Sequence, residues 1–482
     1  MHASPRESPL YEQVADELQR LVERGALKSG DRLPSVRRLA KRERVSVSTV
    51  LQAYGLLESR GVVETRPQSG HYVRSRRLEL LPEPRAPRAS ATATRVTGQA
   101  LVAEGYRAAR DPDIVPLGAA TPSPLLLPTE RINRALAQIA RTSGGIGVGY
   151  DTPPGCLALR RQIARRALDW GCAITPDELI TTVGAMEALH LSLRAVTQAG
   201  DTVVVESPTY YGLLQLIESL GLKAVEVPQH ARTGLDLDVL ETTLKQHRVK
   251  AVLAIPNFNN PIGSLMPDEN KERLVAMLRK REIPLIEDDL YGDLYGGGAD
   301  APRPRPAQSF DRHGLVLLCS SFSKTVAPGY RVGWVAPGRF RERVELLKFA
   351  QTIATPTLPQ LAVAELLDSG GYDQHLRQLR RRLATQVAQF REAIAQYFPS
   401  GTRVSRPQGG FVVWVELPPG TSALTLHARA LERGISIAPG PIFSAKQRFA
   451  NCVRINCGHP WSEVMDRSVK ALGRLAAELP SG

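Results

Sequence analysis

Three things are scarce in this sequence, and each scarcity excludes something. Cysteine is the first. Five stand among 482 residues (Cys156, Cys172, Cys319, Cys452 and Cys457), odd in number and with no Cys-x-x-Cys pair. A disulfide framework and a zinc site on paired cysteines are therefore not expected. Long apolar runs are the second. None approaches the ~18 residues that a membrane-spanning helix needs. The first eight residues also hold no apolar core, so no secretory signal is expected there. Acidic residues are the third: 48 Asp+Glu stand against 62 Lys+Arg, a net charge of +14. What remains is ordinary for a globular chain, with 43% hydrophobic and 23% charged residues. The expectation is a cytoplasmic protein without a structural metal. Its length exceeds the ~100–200 residues of one domain.

The excess of positive charge is unevenly spread. Residues 1–76 hold 14 Lys+Arg and 9 Asp+Glu, a net of +5, and the other 406 residues a net of +9. Charge per residue is thus about three times higher at the N-terminus. A small basic domain suggests an anionic partner. A general arginine-rich composition is the plainer account, since the remainder is basic too.

Composition divides the chain into three parts: a module over 8–76, a linker over 77–110 and a large region over 111–482. Pro82, Pro84 and Pro87 with an Ala/Thr/Ser tail mark residues 77–98 as aperiodic, extended and free to let the two ends move. The large region alternates short apolar runs (202–206, 251–255, 284–287, 316–320) with helical patterns (184–197, 211–220, 270–281). Continuous apolar runs of that length suit strands buried on both faces of a parallel sheet. This is an α/β region, with a smaller C-terminal part expected from Gly371.

In the first module, Leu10, Val14, Leu18, Leu21 and Val22 share a helix face that stops at Gly25. A second short helix spans 35–42, and a third is capped by Ser46 and ends at Gly61. Residues 62–65 and 71–74 then flank a turn and read as a hairpin. Three helices and a hairpin make a winged helix-turn-helix. Arg32, Arg37, Arg38, Lys41, Arg42 and Arg44 could neutralise phosphates. Ser46, Ser48, Thr49 and Gln52 open the third helix with side chains small or polar enough to enter a major groove. The alternative is a solvated basic face. Gly30-Asp31-Arg32-Leu33-Pro34-Ser35-Val36-Arg37-Arg38-Leu39-Ala40, Val45-Ser46-x-Ser48-Thr49-Val50, Ala53-Tyr54-x-x-Leu57-Glu58-x-x-Gly61 and Ser69-Gly70-His71-Tyr72-Val73 resemble the DNA-binding domain of the GntR family. The resemblance implies DNA contacts by Arg37, Ser48 and Thr49. Val47 departs from members with a basic residue there.

In the large region, Ser320-Ser321-Phe322-Ser323-Lys324-x-x-x-Pro328-Gly329-x-Arg331-x-Gly333 follows a strand. A lysine at the end of a buried strand loses solvent, so its pKa falls and its amine becomes a nucleophile. Arg331 and the serines could hold a phosphate; an ordinary loop lysine is the commoner case. Thr182-Val183-Gly184-Ala185-Met186-Glu187 opens a helix whose N–H groups could cradle that phosphate. Tyr210 could stack on a ring, or simply pack. Asn260-Pro261-Ile262-Gly263 puts an amide in a turn. Leu285-Ile286-Glu287-Asp288-Asp289-Leu290-Tyr291 ends a buried strand in three acids that need a cation. A metal is the alternative, but no histidine accompanies them.

Together these segments resemble fold-type-I pyridoxal-phosphate enzymes of the aminotransferase class over about residues 115–480. The resemblance implies a mostly parallel large domain, a smaller α+β domain, and pyridoxal 5'-phosphate carried covalently by Lys324. Asp288 would pair with the pyridine nitrogen, Tyr291 and Asn260 with the ring hydroxyl, and Tyr210 would stack on the ring. Ala185, Met186, Ser321, Ser323 and Arg331 would hold the phosphate, joined by Tyr150 from a neighbouring subunit of a homodimer. Arg454 would clamp a substrate carboxylate. Met186 stands where a hydroxyl or amide is common, and Ile262 where threonine is usual. The combined chain resembles MocR-type regulators, which implies operator DNA and an amino-acid-like effector as partners. A working aminotransferase with an accessory DNA-binding module is the rival reading, and a degraded dimerisation domain a third.

Overall fold

The computed structural model describes residues 9–23, 26–27, 30–59, 62–66, 70–73, 81–87, 92–96, 110–296 and 301–479. The chain forms two compact units, 1–80 and 81–482.

The first unit holds α1 (Leu10–Glu23), α2 (Val36–Glu43), α3 (Val47–Ser59), β1 (Val63–Arg66) and β2 (Gly70–Val73). Ser35 caps α2 by accepting from the Arg38 N–H at 3.4 Å, and Ser46 caps α3 by accepting from that of Thr49 at 3.1 Å. The two strands pair antiparallel, Val63 opposite Val73. Val14, Leu18, Leu39, Val50, Ala53, Tyr54 and Leu57 meet both strands in one core. Leu10, expected on the buried face, is 60% exposed, because it is the first residue of α1. Pro67, Gln68 and Ser69 of the expected turn, with Arg24, Gly25, Gly61 and Arg74, lie outside the described residues.

The second unit is built on a nine-stranded sheet. In chain order its first strands are β3 (Thr94–Arg95), β4 (Val115–Pro116, outside that sheet), β5 (Ile180–Thr182), β6 (Thr202–Ser207), β7 (Lys223–His230) and β8 (Gly234–Leu235). Then come β9 (Val249–Ala254), β10 (Leu285–Asp288), β11 (Val316–Ser321) and β12 (Gly333–Ala336). The spatial order is β3-β7-β6-β9-β10-β11-β12-β5, with β8 on β7. From β7 to β11 neighbours run parallel, while β3, β8 and β12 pair antiparallel. Val203, Val205, Leu253, Ile286 and Leu317 face one core, and Val204, Val252, Leu285 and Val316 the other. Both faces are buried, which is why these strands read as unbroken apolar runs.

A helix over Gly371–Tyr397 opens the C-terminal part, which holds β13 (Arg403–Val404), β14 (Val412–Glu416), β15 (Ile435–Ser436), β16 (Ala438–Pro439) and β17 (Cys452–Asn456). Four of these strands form an antiparallel sheet in the order β13-β14-β17-β16. Its core also takes Leu117, and β15 pairs with β4, so the chain near 115–117 belongs here despite its place in the sequence.

Two stretches within residues 77–98 are fixed rather than free. The Leu81 and Glu83 carbonyls accept from the Arg406 and Arg403 side chains, at 3.0 and 3.1 Å. The Pro82 carbonyl accepts from Val404 N–H at 3.0 Å, Arg85 N–H donates to Glu416 at 2.9 Å, and Glu83 pairs with Arg232 at 2.6 Å. Further on, β3 adds an edge strand to β7. The prolines that keep this segment extended also leave its carbonyls open to an edge.

Candidate functional site

Because β6, β9, β10 and β11 run parallel, their C-terminal ends lie along one edge of the sheet. The residues that follow them supply the candidate site, as is usual for sheets of this kind. Tyr210 follows β6, Asn260 follows β9, Asp288 and Tyr291 end or follow β10, and Ser321, Ser323 and Lys324 end or follow β11. Lys324 is half-buried in the turn after β11, and its Nζ donates to the Ala120 carbonyl at 2.6 Å. Burial and then the Arg454 charge pull its pKa down to about 8. Asp288 is buried, and desolvation pushes its carboxyl up to about 7, with the Lys324 charge opposing. Asp288 accepts from the Leu290 N–H at 3.2 Å, and no ion pair reaches it among the described residues.

The three acids at the end of β10 are sorted by their partners. Glu287 accepts from the Ala307 and Gln308 N–H groups at 2.7 and 2.9 Å. Asp289 is bonded by Asn257 at 2.8 Å and closely by Arg303, which also holds Asp293 at 2.7 Å. Asp288 alone is left facing the lysine.

Next to the lysine turn, polar groups from three segments come together in a nest. The helix Ala185–Val196 begins on Gly184, with φ +80° and no side-chain cap, so its first N–H groups have no partner within the helix. Arg331 Nη2 donates to the Val183 carbonyl at 3.1 Å, and Nη1 reaches Ser323 Oγ at 3.4 Å. A Cβ at Gly184 would collide with the Arg331 guanidinium, so glycine is required by close approach as well as by φ. Ser321 Oγ accepts from the Ser323 N–H at 3.3 Å. Met186 packs its side chain into the core, leaving its backbone to the nest. Backbone N–H groups, a guanidinium and two hydroxyls there can bind a phosphate.

Arg454, on β17, is fully buried. Its Nη1 donates to Asn260 Oδ1 at 3.1 Å, Nη2 donates to the Gly118 carbonyl, and Nε has no hydrogen-bond partner among the described residues. No carboxylate is paired with it among the described residues. Asn260 Nδ2 in turn donates to the Tyr291 hydroxyl at 3.4 Å. Tyr210 is half-buried beside Tyr211, ring centroids 4.7 Å apart. Tyr150 is not brought to this cluster by the fold of one chain; it is 80% exposed, near the exposed Ile146 and Val148.

Sequence reasoning missed several contributors. The Gly118 and Ala120 carbonyls act through the backbone, which leaves no trace in residue type. Thr325, beside the lysine, accepts through its carbonyl from His375 at 2.8 Å, and through its hydroxyl from Tyr372 at 3.0 Å. Those two residues lie some fifty positions away in the chain. The run Leu117-Gly118-Ala119-Ala120-Thr121-Pro122, small residues at a strand end, was the one available signal.

In the first unit, Arg37, Arg38, Lys41, Arg42 and Arg44 are exposed on and beside α2. Arg32 is exposed and lies against Gly70 of β2. On α3, Ser48 and Gln52 are exposed, with Val47 and Leu51 half-exposed on the same face. The Ser46 hydroxyl contacts those of Ser48 and Thr49, each at 2.7 Å, so it serves the cap. Exposed cations beside a helix of small, polar and apolar side chains can meet phosphates and base edges.

Sheet order, the C-terminal sheet and the strand-end cluster define a fold-type-I aminotransferase domain. A model of "Aminotransferase class I and II" matches residues 113–472, and one of "Bacterial regulatory proteins, gntR family" matches residues 10–73. The chain therefore belongs to the aminotransferase class I and II family and, with a gntR-family domain ahead of it, has the architecture of MocR-type helix-turn-helix regulators. It is 40% identical to the uncharacterized HTH-type transcriptional regulator YdcR of Escherichia coli, over 97% of this chain and 99% of that one. A second such regulator of E. coli, YjiR, is 37% identical over 96% of this chain and 98% of its own. Among solved structures, the alpha-aminoadipate aminotransferase LysN of Thermus thermophilus matches 78% of this chain and 97% of its own, with 31% identity and a TM-score of 0.71. No helix of the described residues is long and apolar enough to cross a membrane.

Proposed function

We propose that this chain is a cytoplasmic transcription regulator that holds pyridoxal 5'-phosphate over residues 111–482 and binds operator DNA through residues 8–76. Its operator affinity changes when the cofactor or an amino-containing carboxylate ligand binds. The observation that carries this reading is the buried Arg454 guanidinium, with no carboxylate paired to it among the described residues, on the same cluster as Lys324. A buried cation without an anion is costly, and a ligand carboxylate removes the cost.

The residues present fit the cofactor. Asp288, buried and with no bonded cation among the described residues, suits a protonated ring nitrogen. Asn260 and Tyr291 suit the ring hydroxyl, and Tyr210 a ring face. Ala185, Met186, Ser321, Ser323 and Arg331 suit the phosphate, which the nest at Gly184 supports. Lys324, with its pKa near 8, is neutral in a useful fraction of molecules at neutral pH and would attach the cofactor covalently. Bound there, the cofactor supplies an electron-withdrawing ring and a carbon that accepts amines. Arg32, Arg37 and Arg38 suit phosphates of DNA; Ser46, Ser48, Thr49 and Gln52 suit the start of a reading helix. Tyr150, with the exposed Ile146 and Val148, suits a second copy of the chain, whose phosphate site Tyr150 would complete.

The test is an electrophoretic shift on DNA upstream of the gene, with and without pyridoxal phosphate. A shift that changes with the cofactor supports the proposal. Identical operator affinity for cofactor-free, cofactor-bound and ligand-bound protein would falsify it. A second reading, a working aminotransferase, draws on the intact lysine, carboxylate and arginine; steady-state transamination over a panel of amino acids separates the two.

A further inference from the structure

A cavity of about 360 Å³ is lined by chain neighbours of both partners in the bond between Lys324 and the Ala120 carbonyl. Ala119 and Thr121 line it, on either side of that carbonyl, and Val326 and Ala327 line it just after the lysine. Leu127 and the buried Ile132 add an apolar wall. No Asp, Glu, Lys or Arg lines it among the described residues. Its two titratable side chains are Tyr330, whose hydroxyl donates to Asn133 at 2.8 Å, and His459, which burial holds below the usual histidine range. Both are neutral near pH 7.

We infer that the ligand of this site is an amino acid with an uncharged, mainly apolar side chain, which this cavity receives. The inference rests on the reading of Lys324 and Arg454 as the points where the ligand's amino and carboxylate groups are held. The wall formed by Ala119, Thr121, Val326 and Ala327, near neighbours in the chain of Ala120 and Lys324, then meets the remaining substituent. A second carboxylate or ammonium there would lose water and find no opposite charge, whereas an apolar group gains by burial. The volume lies in the range of small-molecule pockets. Cations gather instead in a neighbouring cleft of about 400 Å³, which shares Pro124, Leu127 and Thr129 and carries Arg131, Arg134 and Arg382. Arg131 is already held by the Gly371 carbonyl at 3.3 Å and Gln374 at 2.9 Å.

The experiment is calorimetric titration of the full, cofactor-loaded chain with L-leucine, L-methionine, L-aspartate, L-2-aminoadipate and L-lysine. Leucine or methionine is expected to bind at least tenfold more tightly than the three charged amino acids. Asn133→Arg, at the rim, is expected to shift the ratio toward 2-aminoadipate by about tenfold, and Arg134→Ala to leave it unchanged. Equal or tighter binding of aspartate or 2-aminoadipate by the parent chain overturns the inference and points to the arginine cleft. Binding of none of the five, while borohydride still fixes cofactor on Lys324, also overturns it. Failure of the underlying reading has a different signature: borohydride then fixes no cofactor on Lys324.

Discussion

The two units use charge in opposite ways. In the first, the side chains of Arg37, Arg38, Lys41 and Arg44 stand in solvent, and no ion pair holds them among the described residues. In the second, Arg454 and Asp288 are buried and Lys324 is half-buried, each at an energetic cost that its neighbours only partly offset. Exposed charge is cheap, so a basic face has a plain structural explanation and becomes informative only through its motif. Buried charge is expensive, so its lack of a partner is itself an argument for a ligand. The same unit shows the contrast internally. Lys348 is buried too, but it donates to Glu187 at 2.8 Å and to Thr352 at 2.8 Å, and so is accounted for within the chain.

The sharpest way to break this comparison is to remove its central amine. Lys324→Ala is expected to abolish covalent cofactor attachment, read by borohydride reduction and mass spectrometry of the intact chain. Cofactor trapped on another lysine would remove Lys324 from its place.

Next in size is a pH effect on the cofactor-free protein. Burial raises Asp288 from 3.8 to about 7. Between those values the folded state binds more protons than the unfolded one, so stability falls as pH rises through that window. Lys324 is lowered from 10.5 to about 8, so between about 8 and 10.5 the unfolded chain binds more protons and stability rises with pH. Both costs are present together near pH 7–8. Asp288→Asn should therefore be more stable than the parent at pH 7.5, by on the order of 4 kcal/mol at most. The gain should shrink toward pH 4. Melting curves that superimpose at both pH values would show that Asp288 is solvated after all.

Arg454→Met separates a ligand-binding charge from a structural one. Replacing a buried, incompletely bonded guanidinium by an apolar group of similar length should leave thermal stability near the parent's. Cofactor attachment should persist, while affinity for a carboxylate ligand falls about 100-fold, the worth of roughly 2.7 kcal/mol. If the chain unfolds instead, Arg454 is holding the fold together through Asn260 and Gly118. On the exposed side, Arg37→Ala should weaken DNA binding across sequences and reduce the slope of log affinity against log salt by about one unit. An unchanged slope would take Arg37 off the DNA backbone.

How much of this was legible in the sequence follows the same division. Strands such as 202–207 and 316–321 were readable because burial on both faces leaves unbroken apolar runs. The helices of the first unit were readable from apolar spacing, with Ser46 as the cap of the third. Lys324 and the acids at 287–289 were singled out because charged types at buried termini are conspicuous, and the family resemblance picked Asp288 from among the three. Residue type and position alone did not separate Glu287, Asp288 and Asp289, because their different fates depend on N–H groups at 307–308 and on Arg303. Nor did it show Ala120, Tyr372 or His375 near the lysine, since those contacts are backbone or long-range. The apparent linker misled most. Proline spacing reports an extended chain, but not whether an edge is waiting for it.

That docked segment gives the smallest and most specific expectation. Residues 81–85 bond to β13, to Arg406 and to β14 in the C-terminal part, while Glu83 reaches Arg232, which follows β7 of the large sheet. One short stretch, on the way to the DNA-binding unit, thus touches both parts of the second unit. A ligand that shifts one part against the other changes the geometry of these contacts, and only a difference between the two states can be passed on. Glu83→Ala removes an ion pair whose arginine is 67% exposed, so unfolding should change by less than about 1 kcal/mol. If operator affinity responds to ligand as proposed, by about 5–150-fold for typical coupling, that response should nevertheless shrink in this variant. The measurement is operator titration with and without ligand in parent and variant, at equal salt. The coupling must be reciprocal, so the effect of operator on ligand affinity should shrink by the same factor. A variant that keeps the full ligand effect would show that the signal does not pass through Glu83, whatever the rest of the segment does.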